Sequence, residues 1–261
     1  MGILNLSPES FYKGSIYKGE IDVSKAVNRL IFEGVDIVDI GAMSSRPGSK
    51  SLSEKEEMDR LLPTLKEIRR EFPEVKISVD VSRSVVIRAC IDEGADMIND
   101  ISGSDINDSL LQLMGNLNIA YVMMHMRETP ETMQHQTNLK YENIMREILL
   151  YFAKKIDRYK SFGLTNIFVD PGFGFSKDLE QNYTLLSNLN LLSILDKPIL
   201  VGISRKSMIY KLCGGGAEEA LAGTIAANTL ALMMGASILR VHDVKEAKDA
   251  ITIYKKVKPK H

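Results

Sequence analysis

Asp170 closes the apolar run NIFVDPG and opens onto PGFGFSK, a turn rich in glycine and aromatic residues. A carboxylate at the end of a buried run can accept paired N–H donors, such as those on the edge of an aminopyrimidine. Asp80 stands in the same way near the end of KISVDV. Asn99, in ADMINDI, both donates and accepts, and Lys206, just past PILVGIS, donates to a ring carbonyl or nitrogen. Together these residues suit a flat, nitrogen-rich heterocycle. Met124 in IAYVMMH and Phe175 in the turn offer apolar or aromatic faces, although core packing explains such residues equally well.

A second set suits an anion. Arg240 and His242 are two apart in SILRVHD, which places them on one side of an extended backbone, and Ser45-Arg46-Pro47-Gly48 brings a second guanidinium. The planar fork of arginine matches phosphate oxygens. Asn5, with Ser7 close behind it, could hold Mg²⁺ beside such a phosphate. There is no HExxH, no CxxC and no carboxylate cluster at ligand spacing, so a metal caged by protein groups alone is not expected. Ser204 and Ser207 lack a GxSxG context, and His125 has no acid partner legible in the sequence, which argues against acyl transfer.

These residues need a common frame, and the sequence supplies one. Apolar runs at 1–5, 35–42, 76–81, 95–101, 119–125, 166–172, 198–204 and 237–243 alternate with amphipathic helical patterns. Asn5, Asp80, Asn99, His125, Asp170, Ser204 and the Arg240/His242 pair gather at the C-terminal ends of these runs, where the loops of an eight-stranded barrel converge on ligands. Any one of them alone reads better as an ordinary strand-end polar group; the series favours a site. The expected fold is α/β, a (β/α)₈ TIM barrel formed as a single domain over 1–261, with an open doubly wound sheet as the alternative. Ser53 followed by Glu56 predicts a capped helix start, and further helices are expected near 141–161 and 218–235.

The bulk composition narrows the function classes. Lys and Arg total 33 against 34 for Asp and Glu, a net charge of −1 that gives no case for nucleic acid or an anionic membrane. Only Cys90 and Cys213 occur, too few for a disulfide scaffold, and no run approaches the ~18 apolar residues of a membrane span. A soluble, cytoplasmic protein is expected.

The segments MGILNLSPESF, SSRPG, SVDV, INDISG, MMHMRETPETMQ, VDPGFGFSK, GISRKSM and RVHDV, in this order, resemble the dihydropteroate synthase family over essentially the whole chain. The resemblance implies a pterin-binding barrel that joins a dihydropterin diphosphate to p-aminobenzoate with loss of pyrophosphate. It implies Asp80, Asn99, Asp170 and Lys206 in the pterin pocket, and Asn5, Ser45, Arg46, Arg240 and His242 around the diphosphate and Mg²⁺. Phe11, Pro47 and Ser207 match the surroundings of the aminobenzoate. Catalysis would fall to Asp170, Lys206, Arg240 and His242. A homodimer and inhibition by sulfonamides are implied as well. This chain departs from the family pattern in GAMSSRPG, where GGESTRPG is common, so Met43 and Ser45 replace a Glu and a Thr. SPESF stands for TPDSF and SVDV for SVDT, the latter placing Val81. Met1 lies inside the first strand, where the family has further residues upstream, so either a longer start or a barrel floor with less cover is expected. Two competing readings are a methyltransferase domain that passes a folate methyl group to a corrinoid, and a pterin-binding sensor without turnover. The SRKS and RVH segments and the intact series of strand ends favour the synthase.

Overall fold

Eight short strands form one all-parallel sheet in sequence order: β1 (Gly2–Asn5), β2 (Ile37–Gly41), β3 (Lys76–Asp80), β4 (Met97–Asp100), β5 (Ala120–Met124), β6 (Ile167–Asp170), β7 (Ile199–Val201) and β8 (Ala236–Leu239). A computed structural model describes residues 1–6, 22–42, 52–101, 106–127 and 139–258. The sheet curls until its two edges meet. Gly2 bridges Val241 in parallel, Ile3 N donates to Val241 O at 2.9 Å, and Val241 N donates to Met1 O at 3.0 Å. The ring of hydrogen bonds excludes the open doubly wound alternative and gives the expected (β/α)₈ barrel.

Strand parity sorts the side chains. One face of each strand, including Val38, Ile40, Ile77, Val79, Ile98, Tyr121, Val169 and Leu239, is buried against the surrounding helices in the main core. The opposite parity turns inward. Met1, Met97, Val122 and Leu200 cluster there with Ile37, Ala120, Phe168 and Ile238. Two residues further along the same strands stand Asp39, Asn99, Met124, Asp170 and Arg240. The barrel interior is therefore apolar toward its N-terminal end and polar toward its C-terminal end, a layering set by side chains that alternate every second residue.

The helices around the barrel matter here for where they start, and among the described residues they include α1 (Val23–Phe32), α2 (Glu54–Glu71), α3 (Ser84–Asp92), α4 (Asp108–Asn116), α5 (Ile144–Ser161), α6 (Leu179–Ser187), α7 (Ser207–Cys213) and α8 (Leu221–Met233). A further helix, α9 (Val244–Val257), packs beside α8. The Ser53 and Glu56 capping box forms as expected at α2, and Asp178 with Gln181 forms another at α6. The strands stop earlier than the apolar runs suggested. PILVGIS contributes only Ile199–Val201, and β8 ends at Leu239. The rest of PILVGIS is buried loop, with Ile203 packed into the core, because apolar content reports burial and not backbone pairing, whereas Val241 still pairs with β1 beyond the end of β8.

Candidate active site

One fully buried polar group of the barrel is a residue absent from the expected set. Asp39 lies on the inward parity of β2, fully buried, beside Ser78 of β3 in the strand register. Its Oδ2 accepts from Arg240 Nε at 2.7 Å and from Asn99 Nδ2 at 3.4 Å. The other edge of the same guanidinium donates from Nη2 to Asp80 Oδ2 at 2.8 Å. Arg240 thus spans two carboxylates inside the barrel. Burial works against its charge, but Asp39 and Asp80 outweigh burial and hold its pKa above the ordinary arginine value. Burial pushes Asp80 up to about 7 against the pull of Arg240, with Asp39 and Asp100 adding like charge. Asp39 Oδ1, Ser78 Oγ and Asn99 Oδ1 are buried without a partner. Such orphaned acceptors are uncommon in folded proteins and mark a place built for another donor.

Asp170 ends β6 on the opposite wall. It is 6% exposed, and its Oδ1 accepts the backbone N–H of Gly172 at 2.8 Å. Burial raises its pKa, opposed first by Lys206, then by the Gly172 N–H and Arg240. Lys206 immediately precedes α7, reached through Arg205, a non-glycine residue with φ of 54°. Bidentate bonds from Arg205 to Asp243, at 2.9 and 2.8 Å, hold that unusual backbone in place. Lys206 Nζ donates to Phe173 O at 2.5 Å and lies 4.5 Å from the centre of the Phe175 ring. Burial lowers its pKa to about 8, with Asp170 and Asp80 opposing and Arg240 reinforcing. Asp80, Asp170, Lys206 and Arg240 therefore lie within one electrostatic neighbourhood.

Other expected residues take less central places. Met124 ends β5 and packs with Met126 and Phe175, an apolar wall beside the acids. Asn5 ends β1, in register with Gly41 of β2, and that glycine pairs in turn with Asp80. Ser207 is the first residue of α7. The expected placement of Arg240 and His242 on one side of the backbone holds, but at different depths. Val241 bridges to β1, so the two do share a parity, but Arg240 lies inside the barrel whereas His242 is exposed at the rim. There His242 leans on Ser204, whose Oγ takes its backbone N–H at 3.2 Å and meets its Nδ1 at 3.1 Å. Phe11, Ser45, Arg46 and Pro47, with Met43, lie outside the described residues. Val81 is buried in the main core, so that departure is a packing matter.

Sequence reasoning missed Asp39 and Lys177. A carboxylate in the middle of VDIVDIG, at inward parity, was the available signal for the first. A lysine at the end of a turn rich in glycine and aromatic residues gave none for the second. Lys177 is nonetheless 3% exposed, and burial lowers its pKa to about 7. His125, which has no evident acid partner in sequence, meets Lys177 Nζ at 3.2 Å from its Nδ1. Burial and then the charge of Lys177 depress the His125 pKa well below the usual value.

The chain matches the family model described as pterin binding enzyme over residues 1–242. It is 40% identical to the dihydropteroate synthase of Escherichia coli strain K12 over 255 residues, covering 97% of this chain and 89% of that one. Among solved structures, the Yersinia pestis dihydropteroate synthase with a sulfonamide drug superposes with a TM-score of 0.89 at 36% identity, covering 98% and 92% of the two chains. The Xanthomonas albilineans dihydropteroate synthase with 4-aminobenzoic acid gives a TM-score of 0.85 at 33% identity, covering 99% and 93%. A barrel whose C-terminal end gathers three acids, an amide, a lysine and a caged arginine thus has relatives of the same fold along nearly its full length, and the chain belongs to the pterin-binding enzyme family, among the dihydropteroate synthases.

Proposed function

We propose that this enzyme joins 6-hydroxymethyl-7,8-dihydropterin diphosphate to p-aminobenzoate, giving 7,8-dihydropteroate and pyrophosphate for folate synthesis. One observation carries the reading: Arg240 is bonded to Asp80 at 2.8 Å, so a cation for the diphosphate and an acid for the pterin share one contact. Asp80, Asn99 and Asp170 present acceptors to ring N–H groups, and Lys206 presents a donor to the ring carbonyl. In the reaction, the C–O bond between the pterin methylene and the diphosphate breaks, and its electron pair leaves with pyrophosphate. The positive charge spreads into the dihydropterin, where the nearby carboxylates stabilise it. The neutral arylamine nitrogen then attacks the methylene and releases its proton. Arg240 and His242 would hold the departing anion, and the residue types at Phe11, Ser45, Arg46, Pro47 and Ser207 suit the remaining diphosphate and aminobenzoate contacts. Orientation of the two reactants does most of the remaining work.

Mg²⁺ fits this donor set in a limited way. Among the described residues no group of three His, Cys, Asp or Glu converges on a metal. Asn5 offers one neutral oxygen, which suits a hard cation that keeps most of its shell from water and phosphate oxygens. Bound there, Mg²⁺ would neutralise charge on the diphosphate.

We further propose a cytoplasmic homodimer that joins through α8 and α9, where Leu230, Met233, Ile253 and Val257 are exposed apolar side chains. No helix among the described residues is long and apolar enough to cross a membrane. The test of the function is direct: purified protein, the dihydropterin diphosphate, p-aminobenzoate and Mg²⁺ should yield dihydropteroate and pyrophosphate, with sulfonamides competing against p-aminobenzoate. Pterin binding without turnover would overturn the synthase reading.

A further inference from the structure

Lys177 closes the turn after β6, and its side chain runs back beneath that turn instead of out to water. Its Nζ donates to Gly172 O and to Phe175 O, both at 2.9 Å, and meets His125 Nδ1 at 3.2 Å. His125 O lies at the longer distance of 3.5 Å. Three close partners use all that a lysine nitrogen offers: an ammonium donates to each, and an amine donates to the carbonyls while accepting from a His125 N–H. Burying a lysine in this way is a poor route to stability, since an apolar side chain of similar volume avoids the desolvation cost. The geometry gives it another use.

The carbonyls that Lys177 grips belong to the backbone that places the pterin-facing groups. Gly172 donates its N–H to Asp170 Oδ1 at 2.8 Å. Phe173, the next residue, receives Lys206 Nζ on its carbonyl at 2.5 Å. Phe175 lays its ring beside the same ammonium and donates its N–H to Gly172 O at 3.1 Å. On its other side the turn is pressed against β5, where a Cβ on Gly172 would fall 2.1 Å from His125 O. Lys177 thus touches the turn and His125 at the same nitrogen.

We propose that Lys177 is a positioning residue for pterin recognition, fixing through Gly172 and Phe175 where the Asp170 carboxylate and the Lys206 ammonium meet the ring. This rests on the pterin reading of the site. Arg240 bonds to Asp39 and Asp80, and His242 meets Ser204, so the role separates the two halves of the substrate. Calorimetric titration of Lys177→Met with 6-hydroxymethylpterin, and separately with pyrophosphate and Mg²⁺, tests it. The expected result is a pterin Kd raised tenfold or more, with the pyrophosphate Kd within twofold of wild type. In Lys177→Ala, added n-propylammonium should restore part of the pterin affinity, an effect that a purely structural loss does not show. Unchanged pterin affinity, or equal loss for both ligands, overturns the assignment. If neither variant folds, Lys177 serves stability and the assignment is likewise overturned. Wild-type protein that binds no pterin would instead overturn the reading of the site itself.

Discussion

Removing Asp39 tests whether the barrel interior is as dry as its packing implies. The carboxylate is fully buried and is one of two partners of Arg240, at 2.7 Å from Nε. Asp39→Ala leaves that guanidinium edge and Asn99 Nδ2 facing a small void. Breaking a buried ion pair by deleting one member costs about 3–5 kcal/mol, because the other charge stays buried. Asp39→Asn keeps the shape and an acceptor oxygen, so the guanidinium keeps a charge-assisted bond, worth about 1.5–3 kcal/mol, and loses only the attraction of the opposite charge. It also removes a like charge from beside Asp80, which offsets part of the loss. The amide variant should therefore lose about 1 kcal/mol and the alanine variant at least about 3. For a chain of 261 residues, at about 2–4 °C per kcal/mol, the alanine variant should melt on the order of 10 °C lower. The chain has no tryptophan, so urea unfolding followed by circular dichroism is the suitable assay. An alanine variant within about 1 kcal/mol of wild type would refute the argument, since it would mean that water already solvates the pair.

Three more outcomes follow from the same geometry. Asp170→Asn removes the charged acceptor of ring N–H groups and should weaken pterin binding by about 1.5–3 kcal/mol, while leaving pyrophosphate binding unchanged by calorimetry. Lys206→Met should gain on wild type at pH 7 by what burial of the lysine charge costs, less what buried Asp170 loses with its cation. A lysine lowered from 10.5 to about 8 destabilises the fold fully below pH 8, and the penalty vanishes as pH rises to 10.5, so the variant's advantage should shrink across that window in thermal melts. The same variant should lose pterin affinity; a gain in both would remove Lys206 from the site. Gly172→Ala has φ of 73° and a Cβ that overlaps the His125 carbonyl oxygen, so it should lose about 2 kcal/mol or more and bind pterin poorly. Wild-type melting and pterin affinity in this variant would show that the turn can shift freely.

The order of elements and the rim of the site were legible in the sequence for a local reason. Alternating runs of strand and helix character report burial residue by residue, and polar residues at the run ends mark where burial stops. That was enough to name Asp80, Asn99, Asp170, Lys206 and Arg240. It misjudged where pairing ends in PILVGIS, since buried loop and buried strand look alike in composition. Depth was not legible either. Arg240 and His242 are two residues apart, yet one lies inside the barrel between two carboxylates and the other is exposed. Sequence parity states which side a residue faces, and only the closed barrel states how far down its axis that residue stands. Asp39 and Arg240, 201 positions apart, became partners through that closure. Lys177 shows the same limit in a loop. A lysine in a turn is by default solvated, and the fold of the turn over β5 buries this one. Chemical type and local pattern came from the chain, whereas partnership and desolvation, which decide charge state, arose only when distant strands were brought within bonding distance.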